Sequence, residues 1–538
     1  MLKRLPILLA LVVTLALPFI FRQKQASPLK ADETLVVITP HNEALRYEYG
    51  RGFGEWYKAT TGKTVNVDWR VIGGTSEINR FLEGEYDAAF KLHWTKTLGR
   101  IWSAEIQAGY KNSKLPVDAS IEAKEARETF LRSNVGCGLD LFFGGGTPDF
   151  VKQADDGRLV DSGIISRHPD WFGDDTIPQH FSGERYWDLR GLWIGVVLSN
   201  FGIVYNTDSL KRLGVTNELK QWADLADPRL VGEVALADPT KSSSIAKAFE
   251  NIIQQQMQAR LVALTKEQPD TAPEEIEARA VREGWLAGLQ LMQLIGANSR
   301  YFTDTSQKPP IDVAQGNSAA GICIDFYGRQ QDEAIQRRAE KQRLGFVAPL
   351  GGTVNSVDPV ALFRGAEHRE VAIAFMEYVL SMEGQKIWNF RPGTPGGPHR
   401  FALRRLPVRR DFYQNADFKK FCSDPEDNPY DVTNQLIYRP AWTGKLFREM
   451  SFIIRVITMD THAELTRAWK AIIAAGRPTE ALAVLQDLSA VNLAAANGRI
   501  KQALSAKDKT EELKLARELG DHFRAQYRRA EEIAKARQ

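Results

Sequence analysis

Residues 34–69 read TLVVITPHNEALRYEYGRGFGEWYKATTGKTVNVDW. Thr34 to Thr39 is a short β-branched run of the kind that forms a buried strand. Pro40 stops it, Asn42 suits a helix N-cap, and Glu43 suits the first turn. Leu45, Tyr49, Phe53 and Trp56 then recur at helical spacing, and Gly62 supplies the stop. Val65, Val67 and Trp69 alternate with polar residues as a second strand. Gly73-Gly74-Thr75-Ser76-Glu77 turns into another helix with Ile78, Phe81 and Leu82 on its apolar face. A β-α-β unit of this kind favours a parallel sheet in an α/β protein.

The same alternation continues along the chain. Residues 86–132 are polar and helical in character and read as an insertion. LDLFF (Leu139 to Phe143) resumes the sheet, Gly144-Gly145-Gly146 is its loop, and Thr147, Pro148 and Asp149 open a helix. Trp193 to Tyr205 (WIGVVLSNFGIVY) reads as one long apolar, strand-like stretch ending in the turn Asn206-Thr207-Asp208. A second set of elements follows. Val234 to Leu236 is a strand, Asp238-Pro239 breaks it, and Thr240 to Ser244 starts a helix carried on by Ala248, Ile252 and Ile253. Further strands are expected near Asn317 to Asp325, Leu344 to Pro349 and Val357 to Phe363, and a helix over His368 to Leu380. From about residue 400 the composition turns helical and charged, with a hairpin around Gly476-Arg477-Pro478 and a Lys/Glu/Arg-rich last helix.

Length and charge bound the function. A chain of 538 residues has room for two lobes and an appendage. Seventy basic against 67 acidic residues leave +3, which gives no nucleic-acid footprint. The pairs Arg404-Arg405 and Arg409-Arg410 read as solvated surface. Cys137, Cys323 and Cys422 are far apart and odd in number, with no zinc spacing. Cys137 and Cys323 lie in or beside apolar runs and read as buried free thiols. Met1-Leu2-Lys3-Arg4 followed by the apolar run Leu5 to Phe21 is an export segment, open to removal as a signal or retention as a membrane anchor.

Four turns share one design: His41-Asn42, Gly74-Thr75-Ser76, Gly146-Thr147 and Thr240 to Ser244. Each brings backbone N–H groups and small hydroxyls to a helix start, where unpaired donors and the helix dipole favour anionic or oxygen-rich ligands. Taken singly, each is equally a simple cap. His41 reads as a core or surface histidine before a metal ligand. Asp325-Phe326-Tyr327 reads as a strand end with packing or hinge duty, and Trp193 and Tyr205 as core or cleft-wall aromatics. There is no phosphate-loop, HExxH or GxSxG motif, so no enzyme signature stands out.

The stretches TPHNE (39–43), GGTSE (73–77), LFFGGGTPDF (141–150), NFGIVYNTDSLKRLG (200–214), WADLADPRLVGEVALADPTKSSS (222–244) and GICIDFYG (321–328) run in an order that resembles type II extracellular solute-binding proteins of ABC importers, in the group with iron(III), polyamine, thiamine and phosphonate receptors. The resemblance spans roughly residues 33–395. It implies two α/β lobes joined by two crossover strands, with the ligand between them. Lobe one would be residues 33–200 and 326–400, lobe two residues 201–325, and residues 401–538 a helical C-terminal extension. Its ligand-facing positions correspond to His41, Asn42, Gly74, Thr75, Ser76, Gly146 and Thr147 in lobe one and Ser242 and Ser243 in lobe two. Asn200 and Tyr205 fall on the first crossover, and Asp325 and Tyr327 on the second. Iron-binding relatives carry an adjacent tyrosine pair there; Phe326 precedes Tyr327 here, which argues against iron held by two tyrosinates. The expectation is a monomeric periplasmic receptor for a small polar, anionic solute. It would serve an ABC permease in the inner membrane, with no cofactor and no catalysis. An iron(III) receptor, a membrane-tethered sensory domain and an exported hydrolase are the alternatives.

Overall fold

The computed structural model describes residues 31–339, 343–431, 436–506 and 508–538; the expected export segment, within residues 1–30, lies outside them. In chain order the strands are β1 (Glu33–Ile38), β2 (Val65–Arg70), β3 (Leu141–Phe143), β4 (Leu159–Val160), β5 (His180–Phe181), β6 (Glu184–Arg185), β7 (Ile194–Ser199), β8 (Phe201–Asn206), β9 (Val234–Ala237), β10 (Ser299–Thr303), β11 (Ala320–Ile324), β12 (Leu344–Val347), β13 (Ser356–Phe363) and β14 (Leu406–Pro407). They form two main sheets. The first runs β14-β7-β13-β3-β1-β2 with β4 also on β13, and the second runs β10-β9-β11-β8-β12.

The opening unit forms as its residues dictate. β1 lies parallel to β2, Leu35 facing Val67, and parallel to β3, Val37 facing Leu141. The helix Glu43–Thr61 connects β1 to β2. Asn42 Oδ1 accepts the Leu45 N–H at 3.1 Å, and Gly62, at φ +76°, ends the helix in the left-handed conformation that glycine adopts without strain. The first sheet is nonetheless mixed, because β13 and β7 run antiparallel to their neighbours. The helix Thr75–Leu92 continues through a wider turn to Thr97, so residues 86–97 extend an element of the lobe. The inserted part is the pair of helices Ala104–Tyr110 and Ile121–Arg132, seated through Phe90, Tyr110 and Phe130 with ring centroids about 5 Å apart.

The stretch Trp193 to Tyr205 is two strands. β7 belongs to the first sheet and β8 to the second, and the single residue Asn200 separates them. The return crossing falls later than residues 325–327. Asp325 stops β11 by starting the helix Asp325–Ala339, its N–H bonded to Asn200 O at 3.0 Å. That helix feeds β12, which pairs antiparallel with β8, Leu344 opposite Asn206. Residues 326–347 are therefore part of the second lobe, and the return runs through residues 348–355. The chain also crosses a third time, between Tyr430 on the first core and Trp442 on the second. The crossings are laced together: Asn200 Nδ2 meets Asn355 Oδ1 at 3.3 Å, Asn355 Nδ2 donates to Pro429 O at 2.7 Å, and Leu436 N donates to Thr353 O at 3.1 Å.

Residues 401–431 are not a helical extension. They form a largely irregular strap along the first lobe. It begins where the buried Glu48 carboxylate accepts the N–H groups of His399, Arg400 and Phe401 at 2.6–2.7 Å, and it adds β14 to the sheet beside β7. The basic pairs are not a solvated surface either. Arg405 and Arg409 are buried, and Arg404 and Arg410 are ordered against Asp424 and the Asp174 carbonyl. From Pro440 the chain is helical and completes the core of the second lobe. Trp285 donates to Val491 O at 3.0 Å, Trp469 to Asn298 Oδ1 at 2.9 Å, and Gln293 to Tyr527 Oη at 2.8 Å. The charged last helix, Lys509–Lys535, buries Leu519, Phe523 and Tyr527 in that core.

Truncation after Arg439 would uncover Trp285, Leu289 and Met292 among others. At ~1.5–3 kcal/mol per large side chain the loss exceeds a typical stability of about 5–15 kcal/mol. The expected result is an aggregated product without cooperative unfolding by circular dichroism. A soluble, cooperatively folding truncate would show that the second lobe holds its own core.

Candidate functional site

Three helix starts meet across the gap between the sheets: Thr75–Leu92 and Thr147–Asp155 from the first lobe, and Ser243–Glu267 from the second. Thr75 Oγ1 and Ser243 Oγ lie 2.7 Å apart, and Ser243 donates to Asp149 Oδ2 at 2.9 Å. Asn79 Nδ2 holds the other Asp149 oxygen at 2.6 Å. Burial pushes the Asp149 carboxyl up, and these donors oppose the shift. Gly74 and Gly146 face the second lobe here: a Cβ on Gly74 would stand in ordinary contact with Lys241 O at 3.5 Å, and one on Gly146 with Ser243 Oγ at 3.6 Å. This polar joint divides the interlobe gap into two cavities.

The first cavity, of about 420 Å³, is walled by His41, Arg46 and Thr75 on one side and Lys241, Ser242 and Gln307 on the other, with Phe326, Tyr327 and Asp358 at its base. His41 is buried, and its Nε2 has no hydrogen-bond partner. Desolvation, with Arg405 and Arg46 adding to it, holds the imidazole pKa well below its ordinary value, so the ring is neutral. Gly144, at φ +85°, gives it room: a Cβ there would stand 2.0 Å from Nε2. Burial raises the Tyr327 phenol to about 12 and the Asp325 carboxyl to about 6. Behind them, Arg405 pairs with Asp358 Oδ2 at 2.7 Å and hydrogen-bonds Ser199. It lies over the Phe326 ring at 4.3 Å, and its Nε and Nη1 lack partners.

Of the expected residues, His41, Asn42, Gly74, Thr75, Ser242 and Tyr327 line this cavity, while Gly146, Thr147 and Ser243 line the second. The Asn42 and Ser242 side chains are engaged as caps, on Leu45 N and Ile245 N. Asp325 is buried beneath the floor rather than on a crossover. Three others do not reach either cavity. Ser76 faces a depression with Phe447 and Arg455, because it is one residue further round the helix than Thr75. Asn200 sits at the hinge, and Tyr205 packs over Gly345 of β12. Arg46, Lys241, Gln307, Asp358 and Arg405 were not singled out from the sequence. Arg46 carried a signal, one helical turn beyond Asn42; Arg405 carried none beyond a basic pair. Among the described residues, no group of three or more His, Cys, Asp or Glu side chains is placed to hold a metal ion.

Residues 139–408 match the family model described as "Bacterial extracellular solute-binding protein". An uncharacterized protein of Haemophilus influenzae is 26% identical over 253 residues, 46% of this chain and 60% of that protein. The phosphoglycerate transport regulatory protein PgtC of Salmonella typhimurium is 22% identical over 201 residues, 37% of this chain and 41% of that protein. The chain thus spans less than two thirds of the length of these relatives. Among solved structures, the periplasmic binding protein AfuA from Actinobacillus pleuropneumoniae, with exogenous fructose-6-phosphate bound, superposes with a TM-score of 0.45 at 17% identity, covering 82% of this chain and 98% of that one. Iron-bound HitA from Pseudomonas aeruginosa superposes with a TM-score of 0.42 at 16% identity, covering 79% and 99%. The family match extends over half of the chain, from just before β3 to just past β14, and so takes in the whole second sheet and two of the three crossings; this protein belongs to the bacterial extracellular solute-binding proteins.

Proposed function

We propose that the protein is a periplasmic receptor that encloses a small anionic solute in the first cavity and passes it, unchanged, to an ABC permease in the inner membrane. The observation that carries this reading is the convergence of helix starts from both lobes with Arg46 and Lys241 in the walls of one interlobe cavity, where Lys241 also pairs with Asp304 and Glu43 stands beside Arg46, while the incompletely bonded Arg405 lies behind the floor. Backbone donors and cations in a gap from which closure expels water stabilise negative charge more than at an open surface. A neutral His41 can donate or accept through Nε2 without competing for the charge. The name of the Salmonella relative, which refers to phosphoglycerate transport, fits a phosphorylated acid as solute. Among the described residues no helix is long and apolar enough to cross a membrane.

A thermal-shift screen tests the reading with 3-phosphoglycerate, fructose-6-phosphate, citrate, putrescine, thiamine and ferric citrate. The expected result is stabilisation by one or more of the simple anions and none by the cations. A folded protein that no anion stabilises overturns it. Thr75→Val removes one interlobe hydrogen bond, worth about 0.5–1.5 kcal/mol, and is expected to weaken the binding anion by about 3- to 10-fold in calorimetry. Ser76→Ala, one residue away but outside the cavity, is expected to leave affinity unchanged.

A further inference from the structure

The second cavity, on the other side of the Thr75–Ser243–Asp149 joint, encloses about 720 Å³. Its walls come from separate pieces of the chain, among them the Lys111–Lys114 loop, the Thr147–Asp155 helix, the β5–β6 hairpin, the Ser243–Glu267 helix, the start of β13 and the Tyr438–Gly444 segment of the tail. Pro148, Val151, Phe201, Ile324, Val357 and Pro440 make much of the lining apolar.

Its polar groups fall into two sets. The buried ionic groups are matched within the walls. Lys247 Nζ reaches Glu184 at 2.7 Å and Glu250 at 2.9 Å and lies 3.3 Å over the Tyr438 ring, whose hydroxyl also donates to Glu250. Asp358 has Arg405. Apart from Glu184 Oε1, which has its ion pair with Lys247, the buried lining atoms without a hydrogen bond are the Trp193 indole Nε1 and the hydroxyls of Thr147 and Ser356. Trp193 is fully buried, and an indole N–H can only donate. Buried polar groups in native proteins find partners, so these three mark what an occupant has to offer. The first cavity is walled by helix starts with Arg46 and Lys241 among them; this one has charged side chains in its lining too, such as Lys114, Lys152 and Arg185, but its unmatched buried groups are neutral and lie against an apolar lining.

We propose that the second cavity is a separate binding site for an uncharged, largely apolar organic molecule that carries a hydrogen-bond acceptor such as a carbonyl, the acceptor meeting the Trp193 N–H and the Thr147 and Ser356 hydroxyls. Its volume lies within the ordinary range for organic ligands, about 300–1,000 Å³. Because the walls belong to both lobes and to the tail, an occupant there bridges the halves without touching the anion.

The test uses the whole chain and the neutral ketone fluorophore Prodan (6-propionyl-2-dimethylaminonaphthalene). One Prodan per chain is expected to bind with blue-shifted emission. Val151→Trp, at a third-exposed mouth position, is expected to weaken it at least 10-fold, and Trp193→Phe about 5-fold, with both variants checked for folding by circular dichroism. In the same samples 3-phosphoglycerate is expected neither to displace Prodan nor to lose affinity in Val151→Trp. No Prodan binding, or binding undiminished in both variants, overturns the proposal. Displacement by 3-phosphoglycerate shows a single site and overturns it as well. If Prodan binds as described while no anion stabilises the protein, the reading of the first cavity fails and this one stands.

Discussion

Arg405→Met is expected to lower stability by about 3–5 kcal/mol at neutral pH, the usual cost of removing one partner of a buried ion pair. The guanidinium is 1% exposed. Without it Asp358, whose carboxyl burial already pushes up, loses the one cation that pairs with it in the structure. The Phe326 and Trp388 rings lose the flat cation lying over them at 4.3 and 5.4 Å. Urea denaturation measures the loss. Adding Asp358→Leu removes the stranded charge and is expected to recover most of the stability, since an apolar pair of similar volume often replaces a buried ion pair without cost. The double variant is not expected to recover anion binding in calorimetry. Recovery of binding with stability would mean that Arg405 serves the fold alone; an unchanged midpoint in the single variant would mean that the pair contributes little to either.

Asp325→Asn carries the second large effect, in the opposite direction. The carboxyl ordinarily titrates near 3.8 and is raised to about 6 here, chiefly by burial, with Arg329 and Arg405 pulling the other way. Between those two values the folded protein keeps a proton that the unfolded chain has released. Stability therefore falls as pH rises through this window, and ionised Asp325 costs about 3 kcal/mol at pH 7. Asparagine has nothing to ionise. The variant is expected to exceed the wild type by up to about 3 kcal/mol at pH 7, with the two curves converging below pH 4. Urea denaturation from pH 4 to 7 decides it, and parallel curves at all pH values would show that Asp325 does not titrate in this range.

Local chemistry made part of this molecule legible before its shape was known. Asn42, Gly62 and Ser242 do in the structure what their residue types favour at helix ends, since capping involves only a few neighbouring backbone groups. Sheet membership is another matter. The stretch Leu344 to Val347 is strand-like wherever it pairs, and only tertiary contact with β8 assigns it to the second lobe. Within Trp193 to Tyr205, Asn200 was the sole polar interruption apart from Ser199, too small a mark to reveal a change of sheet. The amphipathic tail showed that it has an apolar face without showing that Trp285 and Met292 lie under it. Arg405 illustrates the same limit at the site. Its neighbours Ser199, Phe326, Asp358 and Trp388 come from four distant places in the chain, so a basic pair in the sequence could not show that one member lies indoors.

The laced crossings at Asn200, Thr353, Asn355, Pro429 and Leu436 act together as the spine of a book. Pages bound along a spine turn easily and slide poorly, because sliding or shearing would stretch at least one binding thread while turning strains none. Parting at the fore-edge would separate the shared walls of both compartments in a single swing, so one movement is expected to release or admit whatever each one holds.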